Sequence, residues 1–334
     1  MALIKKVSIK DIAEKAGVST TLVSFVLNGK AKAYRVNEKT AKKIMDIANQ
    51  LSYKPNQTAQ RLRGGKSHII GVVVSGISNP FFSSIARVFE DMSAAYGYNV
   101  FFGSSDERAD TMQKVIYNLI SHEVDGLVVV PCEETESFLQ ALVNQKVPIV
   151  LLDRFFPDTN ICHVGLDNEK ATYDATKYLL ADGYKKPAII AYDIALNHMT
   201  NRIKGYRSAM EENGKEDSIS VYYLDTRKPY ESAEDVIKEA ISNKVDSFVF
   251  ATNIISLSCL YHLKKLSKQD INKIGLVGFD GNPVFDFFEK PIPYIEQPIE
   301  ELVKRAFDNL VKIISGKEAE SAVLDGKLIV KEYI

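Results

Sequence analysis

Ile9-Lys-Asp-Ile-Ala-Glu-Lys-Ala-Gly-Val-Ser-Thr-Thr-Leu-Val-Ser-Phe-Val-Leu-Asn28 reads as two short helices broken at Gly17-Val18-Ser19. Ser8 can cap the first helix, and Asp11 stands three residues on, where its side chain can return to the amide of Ser8. Ile9, Ile12, Ala13 and Ala16 fall at i, i+3, i+4 and i+7 and form one apolar face. Gly17 allows the tight helix ending, Ser19 caps the second helix, and Leu22, Val23, Val26 and Leu27 form its apolar face. Two amphipathic helices joined through such a turn make a helix-turn-helix, which lays its second helix in the DNA major groove. A helical hairpin inside an unrelated core is the alternative for this stretch taken alone.

Charge separates these readings. Residues 1–66 carry 14 Lys and Arg against 4 Asp and Glu, a formal +10, and the remainder carries 28 against 39. The near-neutral total of −1 therefore hides two regions of opposite sign. A compact basic module suits a phosphate backbone, where neutralised phosphates release counterions. The module continues through a helix capped by Asn37, with Ala41, Ile44, Ile47, Ala48 and Leu51 as its core face. Pro55 then opens a short helical stretch that Gly64-Gly65 stops. So few apolar groups do not hold a helix alone. This segment reads either as a linker or as one that orders on DNA, with Asn56, Gln57 and Arg61 facing it.

Residues 7–64 resemble the DNA-binding headpiece and hinge of the lactose-repressor/galactose-repressor (LacI/GalR) family. The matching motifs are Ile9-Lys-Asp-Ile-Ala, Ala16-Gly-Val-Ser, Val23-Ser24, Val26-Leu-Asn28 and Tyr53-x-Pro-Asn56-x-x-Ala59-x-x-Leu62. The resemblance implies that Thr20 and Thr21 read base edges and that Ser24 contacts phosphate. It implies that Leu62 wedges into the minor groove at the operator centre, flanked by Asn56 and Ala59. An apolar wedge of this kind kinks a base step, and the added contact offsets an unstacking cost of a few kcal/mol. Ser8, Phe25, Asn28, Gln57 and Tyr53 complete the expected DNA-binding set. Phe25 stands where the family usually carries Arg; a guanidinium can bind guanine bidentately, whereas Phe offers only apolar contact, for instance to a thymine methyl. Paired hinges imply a homodimer on an approximately palindromic operator in double-stranded DNA.

The remaining residues alternate strand and helix. Val- and Ile-rich runs at Ile69–Val74, Val100–Gly103, Gly126–Val130 and Val147–Leu152 suit buried parallel strands. A second series follows at Ala188–Tyr192, Val221–Leu224, Ser247–Ala251 and Ile274–Phe279. Amphipathic stretches separate them, Pro298–Ile314 reads as one more helix, and Ala322–Val330 reads as a closing strand. The expected fold class is α/β: an all-α headpiece, then two doubly wound parallel-sheet subdomains facing across a cleft. The boundaries read are 1–54 for the headpiece, 55–66 for the hinge and 67–334 for the effector domain. Within the last, about 67–166 and 298–330 form one subdomain and about 167–297 the other.

This part resembles the family's effector domain, a fold shared with periplasmic sugar-binding proteins. Phe81 in Ser78-Asn-Pro-Phe-Phe82, Asp153, Arg202, Asn253, Asp280 and Gln297 then fall at the cleft and form the expected effector-binding set. Carboxylates, amides and a guanidinium beside an aromatic wall suit a ligand with many hydroxyls, such as a sugar or sugar derivative. Ile254 stands where the family commonly has Asp.

Other chemistry is thin. There is no Gly-x-Gly-x-x-Gly after a strand, no phosphate loop and no His pair at metal spacing, so no cofactor, metal or catalytic residue is expected, and an enzyme is disfavoured. Cys132, Cys162 and Cys259 are far apart and unpatterned, which fits a reducing cytoplasm. No apolar run reaches membrane-spanning length, and residues 1–25 lack a signal peptide's apolar core. With no heptad tail after Lys331, a dimer is expected. The overall reading is a cytoplasmic transcriptional regulator, a repressor under small-molecule control. The alternative is a solute-binding protein of the same effector fold.

Overall fold

The computed structural model describes residues 7–51, 53 and 66–331. Asn56, Gln57, Ala59 and Leu62, all expected to meet DNA, lie outside the described residues, as do Pro55 and Arg61. The chain forms two compact units that divide between Ser67 and His68.

Among the described residues, the first unit is built on three helices: α1 (Ile9–Ala16), α2 (Thr20–Leu27) and α3 (Glu38–Gln50). The Ser8 hydroxyl accepts the Asp11 amide at 3.3 Å and the Asp11 carboxylate accepts the Ser8 amide at 2.7 Å, so each residue satisfies the other's exposed donor. At the other end Gly17 turns left-handed at φ +71°. There the amides of Gly17 and Val18 reach the carbonyls of Glu14 and Ala13 at 3.3 and 3.0 Å. The Ser19 hydroxyl accepts the Leu22 amide at 3.2 Å and starts α2 at once. Helices this short do not persist singly in water; here Ile12, Ala13, Ala16, Val23, Val26, Ile44, Ile47 and Ala48 share one buried core.

The second unit holds two sheets. The first runs β11-β5-β4-β3-β1-β2, with β1 (Ile69–Val74), β2 (Asn99–Ser104), β3 (Gly126–Val129), β4 (Ile149–Asp153), β5 (His163–Leu166) and β11 (Ala322–Leu324). The second runs β12-β10-β9-β8-β6-β7, with β6 (Pro187–Tyr192), β7 (Val221–Leu224), β8 (Ser247–Phe250), β9 (Gly275–Phe279), β10 (Tyr294–Glu296) and β12 (Lys327–Ile329). Every pairing is parallel except β10 with β12. The central strands β1, β3 and β4 are buried along their whole length, as uninterrupted Val/Ile runs require when helices cover both faces. The α-helices described in the second unit are α4 (Pro80–Ala95), α5 (Ala109–Ser121), α6 (Glu136–Asn144), α7 (Asn168–Ala181), α8 (Asn197–Glu212), α9 (Pro229–Ser242), α10 (Asn253–Leu263), α11 (Lys268–Ile271) and α12 (Ile299–Ile314).

The chain passes between the sheets three times: from β5 into α7, from β10 into α12, and from β11 into β12. The last passage corrects the reading of Ala322–Val330 as one strand and of 298–330 as one subdomain. The run breaks at Asp325-Gly326, and its second half pairs with β10 in the other sheet. A Cβ at Gly326 would lie 3.1 Å from Ile295 and 3.3 Å from Leu166, residues at the ends of the other two passages. All three connections thus lie close together at Gly326. Two short strands escaped the sequence reading. β5 is His-Val-Gly-Leu, with no apolar run, and β10 is three residues between Pro293 and Pro298.

Among the described residues, no helix is long and apolar enough to cross a membrane. Nor is any group of three or more His, Cys, Asp or Glu placed to hold a metal ion there.

Candidate nucleic-acid interface and ligand cleft

On α2, Val23 and Val26 face the core, which turns Thr20, Thr21 and Asn28 outward. Thr21, Phe25 and Asn28 form one row at i, i+4 and i+7. Phe25 is half-buried and lies flat against Tyr34, with ring centroids 3.7 Å apart and planes 3° from parallel. Ser24 sits at the margin and is 9% exposed; the Asn28 amide donates to its carbonyl at 2.7 Å and to its hydroxyl at 3.2 Å. Ser8 is exposed and engaged with Asp11, and Tyr53 packs half-buried against the core, its amide on the Ala48 carbonyl at 2.9 Å. Lys30, Lys32 and Arg35 are exposed on the turn that carries Tyr34.

The cleft of the second unit has one wall from each sheet. Phe81 stands in the first turn of α4, where Pro80 occupies a helix position that needs no amide donor. Asp153 ends β4 and Asp280 follows β9, with φ of +67° and +57°; Asp and Asn enter this left-handed region at lower cost than other side chains. Asn253 opens α10, and Gln297 lies on the passage from β10 to α12. Phe81, Asn253, Asp280 and Gln297 line one cavity of about 570 Å³. Asp153 and Arg202 are buried and coupled by charge to each other and to Asp280.

Arg202 is held rather than free. Its Nε donates to Asn168 Oδ1 at 2.7 Å, its Nη1 donates to the Ala251 carbonyl at 2.5 Å, and its guanidinium lies 3.7 Å from the Phe279 ring centre. Burial lowers its pKa to about 10, against the pull of Asp153 and Asp280. Burial raises Asp280 to about 6, with Arg202 and a 2.9 Å hydrogen bond from Gln297 opposing the shift. Asp153 is raised in the same way, opposed by Arg154 and Arg202.

Arg154, Asn197 and His198 join the expected residues at the cleft. Arg154 makes a two-pronged ion pair with Glu107 at 2.7 and 2.8 Å, and its Nε is 3.5 Å from Asp153. His198 is buried and driven well below its ordinary pKa by burial, with Arg154 and Arg202 adding to the effect; it is neutral. Asn197 Oδ1 accepts the Phe155 amide across the cleft at 3.0 Å, and Glu133 Oε1 accepts the Ala195 amide at 2.8 Å. Arg154 was legible as the cation directly after Asp153; Asn197 and His198 carry no spacing signal. Asp153 Oδ1, Asn197 Nδ2, His198 Nδ1, Gln297 Oε1 and both amide atoms of Asn253 are buried with no hydrogen-bond partner. Such atoms are rare in folded proteins, and among the described residues all but Ser93 Oγ gather around this cleft.

Sequence comparisons agree with this architecture. The model of bacterial regulatory proteins of the lacI family matches residues 8–56, and a periplasmic binding protein domain matches 70–318. The HTH-type transcriptional regulator RegA of Clostridium saccharobutylicum is 30% identical over 331 residues, covering 97% of this chain and 98% of its own. Catabolite control protein A of Priestia megaterium is 27% identical over 322 residues, covering 95% and 96%. The crystal structure of the Lac repressor dimer bound to operator and the anti-inducer ONPF shares the fold at TM-score 0.85 and 22% identity, covering 97% and 98%. The chain belongs to the lacI family of bacterial regulatory proteins and is a transcriptional regulator, with a helix-turn-helix domain joined to a periplasmic-binding-protein-like domain.

Proposed function

We propose that this regulator binds an approximately palindromic operator as a homodimer, and that a small polyhydroxylated molecule of the sugar class, held in the cleft, sets its operator affinity. It acts as a repressor, by binding and without turnover, in the cytoplasm. Thr20, Thr21 and Phe25 read base edges, Ser24, Asn28 and the surrounding basic residues support contacts to phosphate, and Leu62 is the minor-groove wedge.

The observation that supports ligand binding most directly is the gathering of unpartnered buried polar atoms on both walls of the cleft. Burying such a group unpaired costs about 1–3 kcal/mol, and hydroxyls of a bound sugar would satisfy donors and acceptors alike. Asp153 and Asp280 would accept from hydroxyls, the Asn253 amide would donate and accept, and Phe81 would cover an apolar ring face. A ligand that bridges both walls favours the closed arrangement, and only a difference in affinity between closed and open states lets it act on DNA.

The test uses the full chain. Salt-dependent duplex binding and selection from a random pool define the operator, and a thermal-shift screen of pentoses, hexoses, their phosphates and nucleobases is then run, with hits assayed for operator release. No salt-sensitive duplex affinity, with ligand shifts intact, would make this a solute-binding protein on the same fold. Operator binding with no compound raising the melting temperature would remove the ligand.

A further inference from the structure

We propose that Tyr34 is a positioning residue for sequence recognition: it holds the Phe25 ring as a rigid apolar surface that reads the 5-methyl group of a thymine in the half-site. The inference rests on the assignment of α2 as the base-reading helix.

Phe25 lies on the outward row between Thr21 and Asn28, and neither Phe25 nor Tyr34 packs on the headpiece core. Tyr34 is 55% exposed. The stack is therefore not a by-product of core packing. A backbone scaffold builds it. The Lys30 amide reaches the Phe25 carbonyl at 2.9 Å, and the Tyr34 amide returns to the Lys30 carbonyl at 3.1 Å. Arg35, at φ +53°, donates to the Lys32 carbonyl at 3.1 Å, and the Val36 amide closes on Ala31 at 2.9 Å. The turn thus begins at the backbone of Phe25 and brings Tyr34 back against its ring.

A lone exposed Phe on this row would lose side-chain freedom on meeting DNA, which subtracts from any contact it makes. The stack removes that freedom beforehand. Phe25 has no hydrogen-bonding group, and the distinctive apolar feature of the major groove is the thymine methyl. Lys30, Lys32 and Arg35 flank Tyr34 and suit phosphate, which adds affinity without sequence information.

The test begins with the half-site selected by the full-length protein, in which each thymine is replaced in turn by deoxyuridine. One substitution should weaken binding roughly fourfold, the effect of about one buried methyl group. Tyr34→Ala and Tyr34→Leu should bind the thymine and deoxyuridine duplexes alike at that position, with the salt dependence and the headpiece melting temperature unchanged. Tyr34→Phe, which keeps the stack, should restore the difference. Wild-type discrimination in both Tyr34→Ala and Tyr34→Leu, or no thymine that responds to deoxyuridine, would overturn the proposal. Absence of any salt-sensitive duplex affinity in the wild type would instead remove the DNA reading beneath it.

Discussion

The Gln297 amide donates to the Asp280 carboxylate at 2.9 Å, joining a passage between the two sheets to the floor of the cleft. Gln297 Oε1 remains unpartnered and buried, so one side chain joins a connection between the sheets to the place where a ligand would sit. The raised pKa of Asp280 gives this contact a pH signature. Its folded value is about 6 against an ordinary 3.8, so the folded state binds more protons between those values, and stability falls as pH rises from about 4 to about 6. Above that window the loss is complete and the dependence flattens. Thermal unfolding of wild type and Asp280→Asn from pH 4 to 7 should therefore diverge, the wild type losing up to about 3 kcal/mol more as pH rises. Parallel curves would show that Asp280 is solvated.

Arg202→Lys should abolish the ligand-induced thermal shift while leaving non-specific duplex affinity within about twofold. An ammonium cannot lie flat on Phe279 while reaching both Asn168 and Ala251, and it leaves the pocket misaligned. The larger unit should lose about 1–3 kcal/mol, measured by urea unfolding. A ligand response equal to wild type would show that any cation suffices.

Gly205→Ala tests how closely α7 and α8 approach. A Cβ there would come within 1.9 Å of the Glu169 carbonyl oxygen, a backbone atom that cannot rotate away. Separating the helices should cost at least about 2 kcal/mol and lower the unfolding temperature of the second unit. The headpiece transition, followed separately, should not move.

The two hydrogen bonds across the cleft, from Phe155 to Asn197 and from Ala195 to Glu133, favour the closed arrangement. Each is a single bond of about 1 kcal/mol. Asn197→Ala with Glu133→Ala should therefore open the cleft more often and weaken a ligand that selects the closed state by about tenfold or more. Hydrogen exchange at Phe155 and Ala195 should accelerate in parallel. Unchanged exchange would show that closure is held elsewhere.

The ends of the headpiece helices were legible in the sequence because they are decided within a few residues. The Ser8–Asp11 capping box, the left-handed Gly17 and the Ser19 cap all act over one turn. The strand runs were legible for a related reason, since burial on both faces demands unbroken Val and Ile. Phe81, Asp153, Arg202, Asn253, Asp280 and Gln297 were reached by resemblance, and residue spacing alone would not have grouped them.

What needed the folded molecule is what depends on residues far apart in the chain. Arg154 finds Glu107 across 47 residues and Ser75 across 79. Asn197 meets the amide of Phe155 across 42. The closing strand divides because its first half pairs with β5 in one sheet and its second half with β10 in the other. Phe25 shows the same division at short range. Its place on the outward row of α2 follows from helical periodicity, but its stack against Tyr34 follows from a turn whose path local propensity does not specify. Local hydrogen bonding and burial patterns are written in neighbouring residues. The partners of buried polar groups and aromatic rings are chosen only when packing brings distant segments together.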